Sequence, residues 1–266
     1  MDYYIERAEE LFAAYQAVDP EVVHSAWRHL LQAQPGLACD IGAGSGRDAC
    51  WLAKLGWTVT AVEPSEKLRN LGQAHTTARH CKPGSVTWLD DALPDLKRLR
   101  SLDQRFQLIL ISAVWMHLKP DQHERAMRIV SDLLTPGGIL VISLRIGEDK
   151  EERFHPVTAQ QIQILAQARA LAPKVITLQP DVTRPGIEWD CMAFVLPDDG
   201  SGSLPLLRHI IVNDNKSASY KLGLLRALIR IAEGAPGMVT KRDEAWVEIP
   251  FGLVALYWLK MYLPLV

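Results

Sequence analysis

Cysteine is scarce in this 266-residue sequence, and the few present do not pair. Cys39, Cys50, Cys81 and Cys191 are scattered, with no C-x-x-C or similar close spacing. That argues against a disulfide framework and a zinc site, so no metal ligands are expected. The thiols are expected to stay reduced, as in the cytoplasm. A strong charge of one sign is also missing: the net charge of −2 argues against a general nucleic-acid coat. The N-terminus, Met-Asp-Tyr-Tyr-Ile-Glu, has no basic stretch and no apolar run, so no signal peptide is expected. One stretch is conspicuously apolar, 249–266, but Lys260 and two prolines interrupt it and it is short for a membrane span. It reads as a helix buried against its own domain or against a partner, a self-association surface included. What remains is an ordinary globular composition, 48% hydrophobic and 23% charged, long enough for one or two domains with a sizeable core.

The chain is organised around the stretch 37–48, Leu-Ala-Cys-Asp-Ile-Gly-Ala-Gly-Ser-Gly-Arg-Asp. An apolar run reaches an acid at Asp40, and glycines follow at Gly42, Gly44 and Gly46 around Ala43. Ala49, Leu52, Ala53 and Leu55 then share one helical face, and Gly56 ends it. This is a strand, a tight glycine turn and a helix N-terminus. Glycine permits positive φ and lets a ligand approach without a Cβ in the way. The free N–H groups of the first helical turn face that ligand. The dinucleotide fingerprint wants its third glycine three places after the second, where this chain has Arg47. The spacing is instead G-x-G-x-G. A second buried strand, Thr58–Val62, ends in Glu63, followed by Pro64 and Ser65. An acid there can accept hydrogen bonds from two vicinal ribose hydroxyls. The interval from loop to acid is about what one crossover helix requires.

Loop and second-strand acid together resemble the class I S-adenosylmethionine (SAM)-dependent methyltransferases over about residues 37–196. The resemblance implies a Rossmann-like α/β fold: a seven-stranded, mostly parallel sheet with an antiparallel last strand and helices on both faces. It implies SAM as cofactor, with Asp40 orienting the loop and meeting the cofactor's amino group, and Glu63 on the ribose. In the family an acid before a small residue after the third strand accepts from the adenine amine; Asp91 before Ala92 fits best and Asp90 second. An N-cap for the helix over 93–100 explains Asp91 equally well. Arg47 fits either a partner for the cofactor carboxylate or a surface residue.

Phe106–Ser112 is the strongest strand, its continuous apolar run marking burial on both faces. Its end, Ser112-Ala-Val-Trp-Met-His-Leu118, resembles the family's segment where substrate and methyl group meet. His117 is the base candidate by position, or a histidine packing under the cofactor. Trp115 walls the substrate pocket or is core. Tyr15 lies in the N-terminal region, 3–32, which reads as two amphipathic helices broken at Asp19-Pro20; it serves as an aromatic near the sulfonium or as a packed helix-face residue. Further elements are expected at 65–80 (helix, capped by Ser65), 86–89 (strand), 119–134 (helix), 139–144 (strand, after a Pro-Gly-Gly turn), 158–172 (helix), 175–179 and 187–196 (strands). The charged loop 147–156 is solvated or contacts substrate through Arg153 or His155.

The domain reading is a helical cap over 1–36, a methyltransferase domain over 37–197, a linker over 198–203 and a small, mainly helical C-terminal segment over 204–266, with a helix at about 221–232. Net charge is −5 before residue 204 and +3 after it. The C-terminal segment faintly resembles regions that accompany HNH-type nuclease domains, without their metal constellation. No Asn/Asp-Pro-Pro-Tyr/Phe and no Pro-Cys follow the fourth strand, which disfavours amino-methylation of DNA bases or glutamine amides and cytosine C5 chemistry. The reading is an enzyme that methylates a small-molecule acceptor. Two alternatives stand beside it: a methyltransferase for nucleic acid or protein recruited by 204–266, and a SAM-binding scaffold without turnover. Salt-dependent nucleic-acid affinity would mark the first, and SAM affinity without methyl transfer the second.

Overall fold

A computed structural model describes residues 2–77, 85–147, 153–198, 219–241 and 247–262. The chain divides into two compact units, 1–206 and 207–266. In the first, seven strands form one sheet: β1 Leu37–Ile41, β2 Thr58–Val62, β3 Val86–Leu89, β4 Phe106–Ser112, β5 Leu134–Ile146, β6 Ala172–Pro180 and β7 Glu188–Val195, in the order β3-β2-β1-β4-β5-β7-β6. The pairs β3·β2, β2·β1, β1·β4 and β4·β5 are parallel, and β7 runs antiparallel to both β5 and β6. This is the mostly parallel, seven-stranded sheet implied by the glycine loop and Glu63. The order reverses at β1, whose neighbours are β2 and β4, so the loops leaving β1 and β4 diverge and open a crevice at the strands' carboxyl ends.

Alternating residues of β4 explain its double burial. Leu108 and Leu110 face one core with Ile139, Val141, Leu52, Trp27 and Trp57; Ile109 and Ile111 face another with Leu140, Ile142, Met127, Val130 and Ile162. The helices on the two faces are α4 Arg47–Lys54 against the first core, and α7 His123–Asp132 and α8 Ala159–Gln167 against the second. Thr158 caps α8 and exchanges hydrogen bonds with Gln161 in a capping box.

Several expected boundaries shift. The N-terminal region holds three short helices, α1 Asp2–Glu6, α2 Ala8–Gln16 and α3 Pro20–Val23, then a single 3-10 turn at Arg28–Leu30, not two long helices. Helix α3 stops because His24 and Trp27 turn inward to pack on Trp51 of α4. Helix α5, Glu66–His75, has no side-chain cap from Ser65, whose N–H is instead given to Glu63; the remainder of the expected helix, with Cys81, lies largely outside the described residues. Helix α6 is only Lys97–Ser101, and α7 starts after a 3-10 turn at Pro120–Gln122. Pro-Gly-Gly lies inside β5, where the pairing with β4 shifts register between Phe106 and Leu108.

Gly42 sits at φ +75, and a Cβ there would lie 2.2 Å from Cγ2 of Val114. Gly42→Ala is therefore expected to lower stability by about 3 kcal/mol, combining left-handed strain with overpacking. A melt of the single variant beside Gly42→Ala/Val114→Ala checks this. The second change should recover the steric share, and no recovery would remove the contact as the cause.

The second unit contains a helix over Ser219–Gly234, a two-stranded antiparallel hairpin (Thr240–Lys241 with Val247–Glu248) and a helix over Phe251–Tyr262. Leu225, Ala227 and Ile231 are buried. In the last helix Phe251 is 86% exposed and Leu259 62%, so this apolar stretch does not bury itself wholly within its own unit as a self-contained helix would. Among the described residues no helix is long and apolar enough to cross a membrane.

Candidate active site

Asp40 is the next-to-last residue of β1 and is almost wholly buried, at 2% exposure. It accepts from the backbone N–H of Ala49 in α4, while its Oδ2 has no hydrogen-bond partner. Burial, then the neighbouring Asp48 carboxylate, pushes the Asp40 carboxyl well above its usual range. Asp48 is buried too, and burial alone would raise it. The Arg47 guanidinium, at 2.7 and 3.0 Å, and the His24 imidazole, at 3.0 Å, outweigh that and hold it well below the carboxylate range. Of this adjacent acid pair, Asp48 is held toward its charged form and Asp40 toward its neutral form. Arg47 is largely buried, not a surface residue: it forks onto Asp48 and donates to the Tyr15 carbonyl at 3.5 Å.

Glu63, buried at the end of β2, ties the glycine loop to the next turn. Its Oε2 accepts from Gly44 N–H at 2.9 Å and its Oε1 from Ser65 N–H at 2.8 Å, across the intervening half-buried Pro64. Burial raises its pKa, and these two bonds partly offset the rise. Each oxygen keeps a lone pair for a hydroxyl donor. Gly42 and Ala43 anchor the loop by donating to the Val62 carbonyl at 2.7 and 2.9 Å. Gly46, at φ +73, lies against Trp88. Helix α2 lies over the loop: Gln16 Nε2 donates to the Ser45 carbonyl at 3.0 Å, and the Tyr15 ring is 3.6 Å from where a Gly44 Cβ would be.

Beyond β3, Asp91 uses both oxygens on the backbone, accepting from Ala92 N–H and from Leu99 N–H of α6 at 2.9 Å each. Asp91 is not the N-cap residue of α6, which is Leu96, but it satisfies a first-turn N–H of that helix from outside, and each oxygen retains a lone pair. Asp90, the second candidate, has a side chain 47% exposed and pairs with Arg69 and Arg98.

At the end of β4, Ser112 Oγ lies 3.3 Å from Ser143 Oγ. Ala113 then adopts a left-handed φ of +61, held by its N–H on the Ser143 carbonyl and hydroxyl. That strained residue redirects the chain into the 3-10 turn Trp115–His117. Trp115 turns inward and is 0% exposed among core residues, so it walls no pocket. His117 turns outward, half-buried, and its Nε2 is 3.0 Å from the Tyr4 hydroxyl of α1. Burial, then Tyr15, raises the Tyr4 pKa, so its hydroxyl stays protonated. Glu63 and Arg153 also act electrostatically on both Tyr4 and Tyr15. The described residues therefore gather Glu63, Tyr4, Tyr15 and His117 at one end of the sheet. Tyr4 carries no motif, and only its position in the N-terminal region, expected to fold over the loop, hinted at it.

These residues fit SAM. The orphaned Asp40 Oδ2 beside the loop suits an ammonium, the two Glu63 oxygens suit vicinal hydroxyls, and a Gly44 side chain would occupy the space above the loop. A "Methyltransferase domain" family model matches residues 38–138, and a "Domain of unknown function (DUF8808)" model matches residues 200–266. An uncharacterized methyltransferase of Oceanobacillus iheyensis is 26% identical over 149 residues, 56% of this chain, which spans 62% of that relative's length. Among solved structures, a Burkholderia thailandensis 1,6-didemethyltoxoflavin-N1-methyltransferase with bound 1,6-didemethyltoxoflavin and S-adenosylhomocysteine (SAH) is similar at TM-score 0.56 and 21% identity, covering 74% of this chain and 85% of that one. The N-methyltransferase NodS from Bradyrhizobium japonicum is similar at TM-score 0.52 and 18% identity, covering 67% and 96%. The glycine loop, the two buried acids, the sheet order and these likenesses agree: the chain carries a methyltransferase domain, matched over residues 38–138, within a fold of the class I SAM-dependent type.

Proposed function

We propose that the chain transfers the methyl group of SAM to a small-molecule acceptor. The observation that carries this is the Tyr4–His117 hydrogen bond at the β4 end, within electrostatic reach of Glu63. When bound, SAM supplies a methyl already activated on a cationic sulfur. Asp40 then holds the ammonium, Glu63 the ribose and the glycine loop the space between, so the protein's task is alignment. When the nucleophile is protonated, its proton passes to the Tyr4 oxygen as the Tyr4 hydroxyl hands its own to His117 Nε2. The similar Burkholderia protein is an N1-methyltransferase with 1,6-didemethyltoxoflavin bound and the Bradyrhizobium one an N-methyltransferase; a small acceptor here is in keeping with that. The scattered cysteines suit a reducing cytoplasm.

Calorimetric titration of the full chain with SAM, SAH and NAD tests the cofactor, with binding of the first two alone expected. The pH dependence tests Asp40. Its folded pKa is raised, so its contribution to the ligand-free fold is full below about pH 4 and is lost as pH rises through the folded value. A ligand ammonium binds the ionised form and displaces the proton. SAH affinity should therefore rise as pH increases above the ordinary carboxylate range, with proton release, and Asp40→Asn should flatten the profile. Affinity that stays flat or falls in the wild type would reject this role.

A further inference from the structure

Behind the glycine loop, the first turn of α4 buries a second carboxylate next to Asp40. Asp48 is 7% exposed and holds Arg47 on both oxygens, Nε at 2.7 Å and Nη2 at 3.0 Å. His24 Nε2 stands 3.0 Å from Asp48 Oδ1. The histidine is itself held: its Nδ1 accepts from Trp27 Nε1 at 3.2 Å, and its ring stacks on Trp51 at 4.9 Å between centroids. An accepting Nδ1 puts a ring proton on Nε2, beside Asp48. Asp40 meets the same turn by accepting from the N–H of Ala49, the residue after Asp48. The two acids differ in their partners. Asp48 has donors on both oxygens, whereas Asp40 Oδ2 has none among the described residues.

Two neighbouring buried carboxylates resist ionising together, and the one with cationic partners is favoured to carry the charge. The other charged groups that act on Asp40 are Arg47, already forked onto Asp48, and Glu63 after β2. Burial pushes the Cys39 thiol beside it on β1 up, so that thiol stays neutral. A proton on Asp40 and an ammonium at its Oδ2 each bring one positive charge, and both feel Asp48 alike. While Asp40 is protonated, exchanging one for the other leaves the repulsion from Asp48 nearly unchanged. Once Asp40 has lost its proton, an arriving ammonium relieves that repulsion, and Asp48 then strengthens binding.

We propose that Asp48, held by Arg47 and His24, is a positioning residue for the cofactor: it keeps a second negative charge behind Asp40, so that the cofactor's ammonium enters by exchange for the Asp40 proton, which passes to solvent, and is held more tightly once that proton has gone. The inference rests on the assignment of Asp40 to the ammonium. The full chain is titrated with SAH and with 5′-methylthioadenosine, which keeps the nucleoside and sulfur but lacks the amino-acid end. The range runs from about pH 4.5 to 7.5, where the SAH amino group stays protonated. Glu63 titrates against the ribose in both ligands, so the excess rise for SAH reports Asp40. Asp48→Asn should make that excess level off at lower pH and at lower affinity. Its SAH binding should be roughly tenfold weaker than wild type at the upper end, with the gap closing toward the lower end. Asp48→Glu, which keeps the charge, should restore the wild-type shape. His24→Gln keeps an N–H toward Asp48 but cannot titrate, so the excess rise should persist in it. Should Asp48→Asn fail to fold, Arg47→Gln/Asp48→Asn leaves no unpaired buried charge there and should show the same change at reduced size. A loss of affinity equal at every pH, or equal for both ligands, would make Asp48 merely structural and overturn the proposal. So would disappearance of the excess rise in His24→Gln, which would make the histidine the titrating group. Failure of both ligands to bind the wild type would instead reject the SAM reading itself.

Discussion

Gly44→Val is expected to weaken SAH binding at least roughly tenfold while leaving the fold largely in place. Two facts separate binding from stability at this position. The nearest atoms to a Cβ on Gly44 are those of the Tyr15 ring at 3.6 Å, an ordinary contact, so the ligand-free protein has room for the first added carbon. The residue sits at φ +51, and a side chain there costs about 1–2 kcal/mol in left-handed strain. The melting temperature should fall by only some 2–8 °C for a domain of this size. A ligand held by both Asp40 and Glu63 must share the space above Gly44, where the valine methyls would stand. Calorimetry with SAH reads the first effect and a melt of the ligand-free variant the second. Undiminished affinity would remove the glycine loop from the cofactor site. Gly42 makes the contrast, because a Cβ there strikes Val114 and the damage falls on the fold.

Glu63→Ala is expected to damage both. SAH affinity should fall at least roughly tenfold as the ribose acceptor disappears. The ligand-free protein should also lose about 2–4 kcal/mol, because Gly44 N–H and Ser65 N–H would lose their buried acceptor. The residue is a structural staple between loop and turn before it is a ligand group. Glu63→Gln retains one acceptor oxygen and aims an amide N–H₂ at the other donor, so it should fall between wild type and alanine in both measurements. A melt of Glu63→Ala superimposable on wild type would show that the two bonds contribute nothing to the fold.

The parallel strands and the glycine loop were legible in the sequence because buried parallel strands write themselves as unbroken apolar runs, as in Phe106–Ser112, and because a turn requiring positive φ demands glycine. The pairing of Gly44 with Glu63 was legible only as a glycine loop and an acid at the next strand's end, since a backbone N–H leaves no trace in a sequence. The partners of Arg47 and Asp90 were illegible for one reason: a charged residue beside a motif suggests a ligand, and only coordinates reveal the ion pairs with Asp48 and Arg69. Trp115 was ambiguous because a strained Ala113 decides which of Trp115 and His117 faces inward, and alanine carries no signal for a left-handed φ. The Tyr4 contact joins residues 113 positions apart, beyond any local pattern. Helix ends shifted where a side chain inside the fold outbid the cap, as His24 and Trp27 do after α3.

Helix α2 rests on the glycine loop through Tyr15 and through Gln16, whose amide also lies 3.2 Å from the Ser45 hydroxyl. A nucleoside therefore gains the loop only while that helix is lifted, and leaves only when it lifts again. Exchange becomes a gated process. The observed association rate should climb with ligand concentration and then level off at the rate of helix opening, and the bound ligand's residence time follows the gate as well as the strength of its own contacts.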